Sequence, residues 1–267
     1  MRNLCPKIIA MGVYSTEIAS DKITSDNPIH QRLLKAYIIA EEYIEGSVLE
    51  IGCGEGRGVE LLAPKAQQYT AIDKITEVVD TLQKEFPSYQ FDAGTIPPLP
   101  YSDNSFDVVV SFQVIEHIQK DDLYLAEIFR VLKPGGRAIL TTPNIKMTLS
   151  RNPWHIREYT ADELTAKASK YFPRVEMKGV TGNEKVMQYY EDNKASVNRI
   201  MRFDVLDLQH KLPAFMLKWP YEILNRMNRN KLQAGADDLV SSINHTDYLV
   251  SDNADTSLDL LCFLNKS

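Results

Sequence analysis

The stretch Val48-Leu49-Glu50-Ile51-Gly52-Cys53-Gly54-Glu55-Gly56-Arg57-Gly58 constrains this chain more than any other. A short apolar run enters a cluster of alternating glycines, and helix-forming residues follow. Glycine lets a backbone turn sharply and approach a ligand with no Cβ in the way. A helix start beyond such a turn offers unpaired N–H groups and a positive dipole end. A plain tight turn between strand and helix gives the same pattern, so the loop alone names no ligand.

The surrounding chain repeats strand and helix. Strands are expected at 47–51, 69–72, 90–91, 106–111, 137–142, 175–180 and 257–264. Helices are expected at 29–45, around 59–63, at 76–86 and after Asp121 or Asp122, where Leu125, Ile128, Phe129 and Leu132 recur at helical spacing. Pro134-Gly135-Gly136 stops that helix. Thr160-Ala161-Asp162-Glu163 reads as a capping box opening another. This order predicts an α/β fold with a doubly wound, mostly parallel, seven-stranded sheet. About 75 residues before the last strand look mostly helical, too long for a plain connection. The expected organisation is an N-terminal lid segment (1–28), a ligand-binding core (29–180), a helical cap insert (181–255) and a last core strand (256–267).

Asp73 ends the second strand 21 residues after Gly52. A carboxylate at that distance suits ribose hydroxyls; a solvated surface aspartate is the plainer reading. A dinucleotide site calls for GxGxxG, whereas the glycines here follow GxGxGxG behind Glu50. Three further blocks follow in order: Leu99-Pro100-Tyr101-Ser102-Asp103-Asn104-Ser105-Phe106-Asp107, Ser111-Phe112-Gln113-Val114-Ile115-Glu116-His117-Ile118, and Glu127-Ile128-Phe129-Arg130-Val131-Leu132-Lys133-Pro134-Gly135-Gly136. With these blocks the sequence resembles the class I S-adenosylmethionine (SAM) methyltransferases, in particular the broad small-molecule group. The resemblance covers roughly 46–180 and the last strand, not the insert.

The resemblance implies a Rossmann-like core and SAM as cofactor. Gly52, Cys53, Gly54 and Gly56 would pass along its methionine part. Glu50 would orient the loop or reach the amino group through water. Asp73 would take the ribose hydroxyls and Lys74 would flank the adenine. Phe112 and Gln113 would sit beside the sulfonium. The family's usual aspartate for the adenine amino group is replaced here by Thr95, followed by Ile96. Thr95 and the Ile96 backbone N–H are assigned that contact, with Asp92 as the alternative.

Two histidines are candidate bases, since imidazole titrates near neutrality. His117 follows the fourth strand; its plainer reading is a residue that shapes the pocket. His155 lies in Asn152-Pro153-Trp154-His155-Ile156-Arg157-Glu158-Tyr159, at the edge where open α/β sheets bind ligands. There Arg157 and Tyr159 are expected to contact the acceptor, although a loop pinned by Trp154 fits equally. In the insert, Tyr189, Tyr190, Arg199, Arg202, Asp204 and His245 are candidate acceptor contacts, or ordinary helix pairings.

His30, His117, His155, His210 and His245 are dispersed in sequence without paired ligand spacing, so no metal is expected. Cys5, Cys53 and Cys262 are far apart, which fits a reducing cytoplasm. The formal net charge of −6 argues against broad nucleic-acid binding. The apolar run at 8–11 is too short for a signal-peptide core, and Met11 is an alternative start. Residues 211–231 mix Phe215, Trp219 and Tyr221 with Lys211, Lys218, Arg226, Arg229 and Lys231, a composition for a membrane surface or lipid-like acceptor, or for a packed cap helix. The expected function is methyl transfer to oxygen or nitrogen of a small molecule: a sugar or glycan precursor, a quinone-like ring or a lipid-like compound. A nicotinamide-dependent oxidoreductase and a catalytically silent SAM-binding module are the alternatives.

Overall fold

The computed structural model describes residues 23–202, 204 and 207–267. The expected start site and most of the expected lid segment lie outside them.

The core alternates as the sequence pattern requires. Helix α1 (Asn27–Ala40) precedes strand β1 (Ser47–Ile51), then α2 (Val59–Leu62), β2 (Gln68–Asp73), α3 (Thr76–Glu85), β3 (Gln90–Ala93), β4 (Phe106–Phe112), α4 (Asp121–Val131) and β5 (Leu132–Pro143). After α5 (Ala161–Ala168) comes β6 (Arg174–Gly182). The insert holds α6 (Glu184–Met201), α7 (Leu208–Lys211), α8 (Ala214–Gly235) and α9 (Asp237–Ser242), and then β7 (Tyr248–Ser251) leads to β8 (Asp259–Asn265).

The sheet order is β3-β2-β1-β4-β5-β8-β6-β7. Strands β1 to β5 pair in parallel, while β8 runs antiparallel between β5 and β6. The sheet therefore has eight strands, not seven. The additional one, β7, pairs antiparallel with β6 inside the segment expected to be helical. Four residues are too few to show a period in sequence. Only the fold reveals that Tyr248 is buried, with its hydroxyl 2.6 Å from the Pro28 carbonyl oxygen of α1.

Both faces of the sheet are covered, as a parallel sheet built from crossovers demands. Val48, Ala71, Val108 and Val110 face α1, α2 and α3 through Tyr37, Leu62 and Leu82. The alternate positions Leu49, Ile51, Val109 and Leu140 face α4 and α5 through Leu125, Ile128 and Leu164. Helix α4 ends at Val131, three residues before Pro134, and Leu132 already belongs to β5.

The N-terminal turn locks the cap to the core. Asp26 is fully buried and pairs with Arg226 at 2.8 Å and Arg229 at 3.0 Å, both on α8. Asn27 donates to the carbonyl oxygens of Val240 and Ile243, each at 2.8 Å. Among the described residues no helix is long and apolar enough to cross a membrane.

Candidate active site

The glycine turn sits at the C-terminal end of β1. Gly52, Gly54 and Gly56 all take positive φ (+77°, +49° and +81°), the left-handed region that favours glycine. A Cβ at Gly52 would meet the Val114 side chain at 2.4 Å, whereas one at Gly54 would project into open space. Gly54 thus presents bare backbone to open space, as close approach of an elongated ligand requires. Helix α2 is a single turn, and its Leu61 and Leu62 N–H groups bond back to Gly58, so it contributes little anion affinity of its own.

Two carboxylates set the shape of this turn. Glu50 is buried and accepts hydrogen bonds from the hydroxyls of Tyr37 (2.8 Å) and Tyr69. Burial raises its pKa, and the two hydroxyls oppose the rise. Its role is therefore to hold the turn rather than to stand open to a ligand. Asp73 takes the Gly54 N–H at 2.9 Å and the Ile75 N–H at 3.0 Å. Each oxygen keeps a second lone pair, so the carboxylate that braces the loop can also accept from a ribose diol. An uncrowded glycine backbone beside a half-buried carboxylate suits a nucleoside with an amino-acid tail, and the residues fit SAM.

The remaining cofactor-side residues are placed as follows. Cys53 is buried, and desolvation pushes its thiol well up, so it is inert packing. Lys74 and Thr95 are exposed and Ile96 is half-buried at the same sheet edge. Asp92 Oδ2 accepts from Tyr101 and Gln90 at 2.8 Å each. Phe112 packs edge-on against Tyr37, with ring centroids 4.8 Å apart. Gln113 follows β4 with φ +57°, a conformation rare for a non-glycine residue, and its N–H bonds Thr141 O at 2.8 Å.

Beyond Gln113 a cavity of about 280 Å³ opens between core and cap. Pro28 and Arg32 of α1, Gln113, Glu116, His117, His155, Glu158, Tyr189 and Tyr190 line it. A second, more open hollow is lined by Lys74, His117, Trp154, His155 and Lys218. The two histidines border both spaces, with ring centroids 4.9 Å apart. They therefore stand between the side marked by Lys74 and the cap cavity.

His117 Nδ1 lies 3.0 Å from the Trp154 carbonyl oxygen, and burial followed by His155 lowers its pKa to about 4. His155 Nδ1 lies 2.6 Å from Glu158 Oε1 and its Nε2 lies 2.8 Å from Asn152 Nδ2. Glu116 is buried on the turn after β4 and accepts from Thr142 at 3.0 Å; burial raises its pKa to about 7, against the pull of His155. Sequence spacing shows none of this grouping. Glu116, His117 and His155 each bring one donor atom within 4.8 Å of the others, a grouping that their dispersed sequence positions do not show.

Several expected acceptor contacts are not at the cavity. Arg157 and Tyr159 turn back to Asp121 at the start of α4, where Tyr159 donates at 2.7 Å and Lys167 joins at 3.0 Å. A buried aspartate there needs those donors more than a ligand does. Arg199 and Arg202 are exposed at the end of α6 and do not line the cavity. Tyr189 and Tyr190 do. The residues that sequence reasoning missed are Arg32, ion-paired with buried Asp259 at 3.2 Å, and Glu158, which holds His155. No periodicity or motif marks Arg32.

Comparison with known proteins shows what part of the chain is similar to. Residues 49–140 match a family model described as a methyltransferase domain. A probable S-adenosylmethionine-dependent methyltransferase of Mycolicibacterium smegmatis is 42% identical over 124 residues, covering 44% of this chain and 48% of that protein. A fatty-acid O-methyltransferase of the same organism is 32% identical over 107 residues, covering 38% of this chain and 39% of that protein. The chain spans about half the length of the first of these relatives. Among solved structures, a SAM-dependent methyltransferase of Thermotoga maritima, titled a possible histamine N-methyltransferase, has a TM-score of 0.57 at 16% identity, covering 90% of this chain and 91% of that one; this likeness shows the fold. Both similarities are to SAM-dependent enzymes rather than to nicotinamide-dependent ones. Through residues 49–140 the chain is similar to S-adenosylmethionine-dependent methyltransferases.

Proposed function

We propose that the chain transfers a methyl group from SAM to oxygen or nitrogen of a small-molecule acceptor held in the cavity between core and cap. The observation that carries this reading is the position of His117 and His155 on the border of both spaces, one beside Lys74 and the other under the cap. Bound SAM supplies a methyl group on a positively charged sulfur, a leaving group that needs no further activation. The protein's part is then placement and exclusion of water.

The glycine turn admits the cofactor, Asp73 receives its ribose and Glu50, held by two tyrosines, keeps the turn in shape. On the acceptor side, Glu158 orients His155 to receive a proton from a hydroxyl or amine. The cap encloses the acceptor through Tyr189 and Tyr190. A cavity near the small end of ligand sites suits a compact acceptor group.

Formation of S-adenosylhomocysteine from a panel of hydroxyl, carboxylate and amine acceptors tests the proposal. Turnover on one class, lost in His155→Ala with SAM affinity intact, is expected. SAM binding without turnover on any acceptor or cell extract would leave only a silent binding module.

Within the acceptor class, a lipid-like compound is favoured by α8. Phe215 and Trp219 are 75% and 76% exposed, and Ile223 and Met227 continue the same i, i+4 stripe. Among the described residues, packing within the cap leaves most of that stripe exposed. We assign it to contact with a lipid surface that presents the acceptor.

A further inference from the structure

Both histidines at the cavity are held through Nδ1. A carbonyl oxygen only accepts, so His117 carries its proton on Nδ1, toward Trp154. The Glu158 carboxylate fixes the same tautomer at His155, and the Asn152 amide donates to the opposite nitrogen. Each ring thereby directs the Nε2 lone pair away from its support. This is how proteins present histidine to a metal: the other ring N–H is given to a carboxylate or backbone carbonyl, which sets tautomer and orientation.

The third group is Glu116. It is 1% exposed, and its Oε1 has no hydrogen-bond partner, while Oε2 takes the Thr142 hydroxyl. An unsatisfied buried carboxylate oxygen is costly. One donor atom from each of Glu116, His117 and His155 falls within 4.8 Å of the others.

We propose that Glu116, His117 and His155 form a binding site for a divalent transition-metal ion of the zinc type. Two imidazole nitrogens and one carboxylate oxygen match its ligand preferences, and three protein ligands leave a position open toward the cavity, as in catalytic rather than structural zinc sites. Asn152 swings away from His155 Nε2 when the ion enters, and Glu158 remains behind the ring. The role of the ion rests on the methyl-transfer reading: it holds an oxygen acceptor and polarises its hydroxyl. The O–H bond then breaks with the electron pair staying on oxygen and the proton passing to water. The lone pair of His155 holds the ion in that case, and the acceptor is an alcohol or phenol rather than an amine.

The test uses the full chain, stripped with EDTA and dialysed against zinc chloride, with metal content and calorimetric affinity as readouts. About one zinc per chain is expected. Glu116→Gln and His155→Ala should each weaken binding more than tenfold, and Glu158→Gln by roughly 10–100-fold. Asn152→Ala removes the donor that competes for His155 Nε2, together with the acceptor of the Trp154 N–H at 3.0 Å, and should bind zinc as tightly as the parent or more tightly. Unchanged SAM affinity in each variant shows that it folds. Cobalt(II) on the parent protein should give visible absorption bands, a readout that needs no variant. No bound zinc, or equal binding by Glu116→Gln and His155→Ala, overturns the site. Methyl transfer at full rate after EDTA, with no zinc bound, overturns the ion's role in the reaction and leaves His155 as the base. Zinc bound with no turnover on any acceptor overturns the methyl-transfer reading and leaves the ion site standing.

Discussion

The hydroxyl of Tyr37 on α1 donates a 2.8 Å hydrogen bond to Glu50 at the end of β1. The same ring lies so close to the glycine turn that a Cβ at Gly58 would meet it at 2.2 Å. The N-terminal helix thus buttresses the cofactor loop from behind. Tyr37→Phe keeps the ring and removes the donor. It should cost about 1.5–3 kcal/mol of stability, the worth of a hydrogen bond to a charged group. SAM affinity should change little, because Tyr69 still holds Glu50. Urea unfolding and calorimetry on the same sample check both halves. A large loss of SAM affinity with stability unchanged would contradict the buttress.

Asp73 holds the Gly54 N–H and, in the proposed function, also takes the ribose, so its replacement should show both. Asp73→Ala removes the ribose acceptor and frees the Gly54 N–H, held at 2.9 Å. SAM affinity should fall by about 1–3 kcal/mol. Asp73→Asn keeps one acceptor oxygen and should recover part of it. Equal affinity in all three folded proteins rules the ribose role out.

Asp26 ties the start of α1 to the cap, buried between Arg226 and Arg229. Removing one partner of a buried ion pair costs about 3–5 kcal/mol, because the other charge is left uncompensated. Asp26→Asn should therefore lower the unfolding midpoint sharply and expose α8 to limited proteolysis before the core. Simultaneous unfolding of cap and core at the parent midpoint would show that this contact does not hold the cap.

What the sequence discloses follows from how local each signal is. The glycine turn, Asp73 and the buried strands are local patterns, legible because backbone conformation and a period of two residues leave their mark within a short window. Strand β7 is not legible, since four residues carry no period and the pairing partner β6 is more than 60 residues away. The Glu116–His117–His155 group fails for the same reason: nothing in sequence says that the turn after β4 and the loop after β5 meet. Arg157 and Tyr159 mislead because they stand beside His155 in sequence while the chain direction takes them to Asp121.

The α8 stripe predicts lipid contact. Trp219→Ser with Met227→Ser should abolish co-sedimentation with vesicles of anionic phospholipid while leaving SAM affinity unchanged, as neither residue lines the cavity or the hollow beside Lys74. Co-sedimentation that persists in the double variant, or never occurs in the parent, refutes the surface.

Glu116 and His117 are neighbours whose environments push their proton affinities in opposite directions. Burial holds the Glu116 pKa at about 7, so between pH 4.5 and 7 the folded protein keeps a proton the unfolded chain has released. Its contribution to stability therefore falls as pH rises through that window. Burial takes the His117 pKa to about 4, so between pH 4 and 6.5 the unfolded chain holds a proton the folded protein does not, and this contribution rises with pH. With each decade of proton affinity worth about 1.4 kcal/mol, each arm is on the order of 3 kcal/mol. The two nearly cancel, and in metal-free protein the pair should add almost no slope between pH 4.5 and 6.5. Glu116→Gln leaves the rising arm alone, and His117→Asn leaves the falling one. His155, Glu158, Asp259 and Lys74, which also act on this pair, are common to all three proteins, so their effects subtract to first order. Urea unfolding at pH 4.5, 5.5 and 6.5 in EDTA should give slopes of opposite sign for the two variants on either side of the parent. Slopes of the same sign would mean that the two groups do not exchange their charges for burial in this way.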